Sequence, residues 1–82
     1  MTFKEKYDQS KTWQEKVSIM EAFHLVGTVK HEEWTISHTA VYFDVSLGLV
    51  SENLRLAAAL FKFPTIANCE TRQLALKKLN GR

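Results

Sequence analysis

The sequence predicts an all-α fold, a small helical bundle of four to five helices. Three observations predict it. Of 82 residues only three are Gly and one is Pro, while Leu, Ala, Lys and Glu are common, so helix breakers are few. Apolar residues recur at three- and four-residue spacing in several separate stretches, which is the period of one helical face. At the centre, two such stretches, Ile36 to Phe43 and Leu47 onward, are divided only by Asp44-Val45-Ser46. A chain of this length forms a single domain over 1–82, with room for one modest core.

Taken in order, residues 1–9 are polar and mixed in charge, with Phe3 and Tyr7 four apart. They read as a flexible arm or a short turn that packs the two rings. The first secure helix runs from Thr12 to about Val26. Thr12-Trp13-Gln14-Glu15 has the spacing of a capping box, in which hydroxyl and carboxylate each satisfy an orphan amide. Trp13, Val17, Met20 and His24 share one stripe, flanked by Ile19, Phe23 and Val26, and Gly27 suits the C-cap. Val26 is expected to close the core at that end. Thr28 to Trp34 reads as a connection, with Trp34 packing over the start of the next helix. Beyond the central pair, Ala57-Ala58-Ala59-Leu60 continues the second helix until Phe61-Lys62-Phe63-Pro64, because the residue before Pro disfavours the helical region. Phe61 and Phe63 are expected to cap the base of the core. Thr65 to Asn68 reads as a short turn carrying Ile66. A last helix runs from about Glu70 to Leu79, with Arg72, Lys77 and Lys78 outside and Asn80-Gly81 as its stop.

The central pair, residues 35–60, has the pattern of a helix-turn-helix. Two short helices that cross steeply need a small residue where their axes come closest, and Ala40 stands there. Ile36, Ala40 and Phe43 lie on one stripe of the first helix, and Val50, Leu54 and Ala57 on one stripe of the second, with Val45 between them. Asp44 stands at the turn position where Gly is usual, and Asp tolerates the left-handed conformation needed there. Ser46 is a suitable N-cap for the second helix. These assignments leave Ser46, Leu47, Gly48, Ser51, Glu52 and Arg55 on the outer face of the second helix. In a helix-turn-helix that face enters the major groove of double-stranded DNA. Small residues permit a close approach, Leu47 suits a thymine methyl and Arg55 a phosphate. Thr35 and Lys62 complete the expected DNA-binding set.

Charge is distributed in keeping with this. Residues 1–45 hold five Lys/Arg against seven Asp/Glu, and residues 46–82 hold six against two, so the half with the second helix is the basic one. The longest apolar run, Leu56 to Phe61, is too short to span a bilayer and the N-terminus lacks a signal-peptide core, so a cytoplasmic protein without a membrane partner is expected. One cysteine, Cys69, excludes an internal disulfide and reads as a small packing residue. His31, Glu32 and Glu33, with His38 beyond, lack the spacing of a zinc site, and His24 reads as a core-edge histidine. No nucleophile–base pair or phosphate loop is visible. Neither an enzyme, a metal, a cofactor nor a small-molecule substrate is expected.

The segment TAVYFDVSLGLVSENLRLA, followed by a Pro, an Ile and the helix TRQLALKKL, resembles the helix-turn-helix region of the ParB/KorB family of plasmid-partition and repressor proteins. The resemblance covers residues 35–79. It implies sequence-specific binding to a duplex operator or centromere-like site, with Ser46, Leu47, Gly48 and Ser51 against the groove and Arg55 on the backbone. The family's nucleotide-binding and dimerisation domains have no room in 82 residues. The size therefore points to a small transcriptional repressor of phage or mobile-element origin. A homodimer on two half-sites is expected, paired through the N-terminal or the C-terminal helix, with the N-terminal one preferred because its apolar face is wider than the rest of the core can cover. The alternatives are a protein-binding adaptor or inhibitor using Leu47-Gly48-Leu49, or the DNA-targeting domain of a larger phage nuclease or partition protein.

Overall fold

A computed structural model describes residues 1–81, which form six helices and no strand. They are α1 (Phe3–Gln9), α2 (Trp13–Lys30), α3 (Ile36–Phe43), α4 (Leu47–Lys62), α5 (Pro64–Ala67) and α6 (Arg72–Asn80). The all-α bundle predicted from the sequence is present, with α5 a single turn. Helix α4 is the spine, packed on α2, α3, α5 and α6. Its inner face divides the core in two. Toward its N-terminus Val50 meets Met20 of α2 and Ala40 and Phe43 of α3. Toward its C-terminus Leu56, Ala57 and Ala59 meet Trp13 and Val17 of α2, Ile66 of α5 and Ala75 of α6. Fully burying a side chain such as Leu56 or Ile66 is worth about 1.5–3 kcal/mol, and both are sealed from solvent.

Pro64 opens α5 because its fixed φ suits a first helical position and its missing N–H has no partner to lose there. The α5–α6 connection is tied to the start of α2 by side chains from another part of the chain. Trp13 Nε1 donates to the Cys69 carbonyl at 2.8 Å, and Gln14 Nε2 donates to the Ala67 carbonyl at 2.9 Å. Cys69 is buried, as its reading as a packing residue requires.

Of the two readings of residues 1–9, the structure has the packed one, as helix α1. Thr2 caps α1 reciprocally: the Glu5 amide donates to its hydroxyl at 3.1 Å, and its own amide donates to the Glu5 carboxylate at 2.9 Å. The hydrogen bonds from the Thr2 backbone and side chain hold the Glu5 carboxyl below its ordinary range. Phe3 and Tyr7 then pack edge-on and tilted against Phe23 and Phe43. At Thr12 one half of the predicted box is formed, with the Glu15 amide donating to the hydroxyl at 3.2 Å.

Helix α2 runs past Gly27 to Lys30, so the glycine lies inside it rather than at its cap. Its purpose is steric. The indole of Trp34 lies directly on the Gly27 backbone, and a Cβ there would stand 2.6 Å from Trp34 Cδ2 and Nε1. Trp34 donates from Nε1 to the buried Thr39 hydroxyl at 3.0 Å and is edge-on to Phe23. His24 shares the same hydroxyl through Nδ1 at 2.7 Å, at the edge of the core as predicted. Three apolar expectations fail. Val26 and Ile36 are each more than a third exposed, and Phe61 is 85% exposed while Phe63 alone turns inward.

Candidate nucleic-acid interface

The α3–turn–α4 unit begins at residues the sequence specifies locally. Thr35 precedes α3, and its amide donates to His38 Nδ1 at 3.1 Å. Helix α3 ends in a Schellman motif: the Val45 amide reaches back to the Ala40 carbonyl at 3.0 Å and the Asp44 amide to the Val41 carbonyl at 3.2 Å. The closure demands a left-handed residue at position 44, and Asp44 adopts φ 58, ψ 51. Among the described residues it is the only non-glycine at positive φ. Val45 packs inward beside Ala40, the hydrophobic contact that accompanies such a turn. Ser46 then caps α4, its hydroxyl oxygen accepting from the Leu49 amide at 3.1 Å. The predicted boundaries, Phe43 and Leu47, hold to the residue.

The outer face of α4 emerges from this turn. Ser46, Leu47 and Gly48 are exposed at its N-terminal end, and Ser51 is half-buried one turn on. A Cβ on Gly48 would meet no atom of the described residues within 4 Å, so nothing among them requires a glycine there. Glycine in a helix is less favourable than alanine by about 0.8–1.0 kcal/mol. Arg55, Ala58 and Lys62 continue the exposed stripe toward the C-terminus, along roughly 22 Å of helix at 1.5 Å per residue. Thr35 is exposed but belongs to the start of α3.

Besides Thr35 and Ser46, two charged members of the predicted set are engaged within the chain. Glu52 accepts from Arg72 Nη2 at 2.9 Å, and Arg55 donates to the Asn80 side-chain oxygen at 2.9 Å. Asn80 is neutral, so among the described residues no carboxylate pairs with the Arg55 guanidinium. Arg72 is anchored rather than free: its Nε donates to Asn53 Oδ1 at 2.7 Å, and Asn53 is buried between α2, α4 and α6. Sequence reasoning missed this pair. The available signal was a polar Asn53 on the inner stripe between Val50 and Ala57, since a buried amide needs partners. Replacing Arg72 by Ala is expected to cost about 1–3 kcal/mol, because the Asn53 carbonyl oxygen loses its donor. The half-exposed Glu52 contact adds little to that. Urea denaturation checks the size, and Lys at this position should recover only part of the loss, having no fork to span both acceptors.

Two concavities lie near this surface. A groove of about 520 Å³ runs between α3 and the start of α4, with Val41 and Leu47 on its rim, 81% and 54% exposed. A second cleft, about 610 Å³, is lined by Lys30, His31, Glu32, Glu33, Trp34 and His38, with both imidazoles stacked on the indole. Among the described residues no three His, Cys, Asp or Glu side chains converge to hold a metal ion, and no helix is long and apolar enough to cross a membrane. Compared with protein-family models, with curated proteins and with solved structures, the chain matches none.

Proposed function

We propose that this chain binds double-stranded DNA in a sequence-specific manner, with the N-terminal half of α4 in the major groove, and acts as a small transcriptional repressor by occupying its site. The observation that carries the reading is Gly48. A glycine at the second helical position weakens the helix and relieves no crowding among the described residues, which is the pattern of a residue kept small for something outside it. Around it stand groups suited to a groove. The Ser46 hydroxyl has its oxygen occupied by the Leu49 amide and keeps its hydrogen to donate. Leu47 presents apolar surface to a thymine methyl, and Arg55, with no carboxylate partner among the described residues, offers its charge to a phosphate. A module of this size makes few contacts, so useful affinity calls for two copies on half-sites about 34–36 Å apart.

Fluorescence anisotropy on promoter fragments across a salt series tests the proposal. The expected result is one preferred duplex whose affinity falls steeply with salt, as counterion release requires. Gly48→Asp makes the test sharper. Aspartate in the first turn favours helix α4 through the helix dipole, so the melting temperature should hold or rise. The same carboxylate faces the phosphates, and affinity should fall by at least roughly tenfold, the weight of one good base contact. Unchanged affinity would remove Gly48 from the interface.

A second reading, a protein-binding adaptor, is favoured by the apolar rim of the α3–α4 groove, where Val41 and Leu47 stand exposed together. Binding through that rim would be nearly indifferent to salt. The same titration therefore separates the two.

A further inference from the structure

Helix α2 carries a second seam, on the side turned away from α4. Ser18, Ala22, Leu25 and Val29 are all exposed, and Val29 is 85% so. Their spacing is four, three, four, which is the repeat that keeps one line of side chains facing a partner helix. Val26 borders the seam and is also exposed, and the concavity lined by Leu25, Val26, Val29 and Lys30 presents only apolar surface. None of the described residues covers it, because the chain leaves α2 at His31 and Trp34 folds back over the opposite face, onto Gly27.

The seam is uneven in a way that selects its occupant. Its N-terminal half is small, Ser18 and Ala22, and its C-terminal half is large, Leu25 and Val29. Laid antiparallel on a second copy about a two-fold axis between Ala22 and Leu25, each large residue stands over a small one: Leu25 over Ala22 and Val29 over Ser18 of the other copy. Charge agrees with shape. Glu15 and Lys30 lie toward one flank of the seam at its opposite ends, and the same two-fold brings them together across the interface, twice. A parallel pairing sets large on large and leaves those charges apart. We infer that the outer face of α2 is a homodimer surface, on which two copies of this chain pair antiparallel. The two-half-site proposal gives this surface its use, but the pairing itself rests on α2 alone. One helical seam buries less than the about 800 Å² per partner of a standard stable interface, so the dimer dissociates on dilution.

The test uses the full chain without DNA. Sedimentation equilibrium over a concentration series should show a reversible monomer–dimer equilibrium, and Val29→Glu should weaken it at least tenfold while leaving the circular dichroism spectrum unchanged. Geometry is read by cysteine pairing under mild oxidation, with Cys69 buried and out of reach. Ser18→Cys and Val29→Cys chains, mixed, should give a disulfide-linked mixed dimer in preference to either self-dimer. Three results overturn the inference: a wild-type chain monomeric up to about 1 mM, the weak end of measurable association; a dimer indifferent to Val29→Glu; or Ser18→Cys linking chiefly to itself, which marks a parallel pair. Binding to a single DNA half-site needs no dimer, so anisotropy on that half-site judges the DNA proposal separately.

Discussion

Leu56→Ala is expected to cost about 2–5 kcal/mol, the range for truncating a fully buried leucine. Leu56 lies where α4 meets α2, α5 and α6, sealed among Trp13, Val17, Ile66 and Ala75. Its helical neighbours in that cluster, Ala57 and Ala59, are already the smallest side chains a helix carries without cost, so they cannot expand into the space. The Trp13 indole is held by its hydrogen bond to the Cys69 carbonyl and cannot swing in without giving it up. The cavity therefore stays open. A domain of 82 residues has a total stability of roughly 4–12 kcal/mol, at 0.05–0.15 per residue. The loss is thus a large share of it, and the melting temperature should drop by roughly 10 °C or more. Thermal and urea unfolding followed by circular dichroism measure this. A variant within about 1 kcal/mol of the parent, against the range for such truncations, would show that α5 and α6 do not close over α4 as described.

The second large effect is a reversal of sign. Gly27→Ala, one turn before the end of α2, should stabilise the helix by up to about 0.8–1.0 kcal/mol on propensity alone. In this fold it is expected to destabilise by about 1–3 kcal/mol, the usual cost of overpacking. The added methyl occupies the place of the Trp34 ring. Displacing that ring breaks its hydrogen bond to Thr39 and its stacking with His31 and His38. A double-mutant cycle isolates the cause. In a Trp34→Ala background the methyl meets no ring, and Gly27→Ala should return to stabilising the chain. The same sign in both backgrounds would mean that the indole does not rest on Gly27.

Asp44 and Gly27 show where reading the sequence succeeds and where it stops. The turn at Asp44 is legible because everything it needs lies within seven residues: Ala40 and Val41 carbonyls, a residue tolerant of positive φ, and the Ser46 cap. Gly27 is misread as a cap because a glycine late in a helix usually ends one, whereas its reason here is an indole arriving from the next connection. The reciprocal cap of α1 was present as Thr2 and Glu5, with the same spacing as Thr12 and Glu15. Its polar, mixed-charge surroundings concealed it, because the contacts that hold α1 come from the rings of Phe23 and Phe43 and from the Tyr42 hydroxyl.

The candidate site divides in the same way. Exposure of Leu47, Gly48, Arg55 and Lys62 follows from helical periodicity once Val50 and Ala57 are placed inside. The engagement of Glu52 with Arg72, and of Arg55 with Asn80, joins residues 20 and 25 positions apart and has no local signature.

By itself the sequence determined the all-α class, the boundaries of α3 and α4, and the outward face of α4. Those depend on backbone hydrogen bonding, capping and a 3.6-residue period, all short-range. Only the tertiary structure decided which apolar residues are covered, which polar ones are paired, and that the far face of α2 is left open. Those outcomes depend on where distant helices come to lie, and burial is a property of the assembled surface rather than of any single segment.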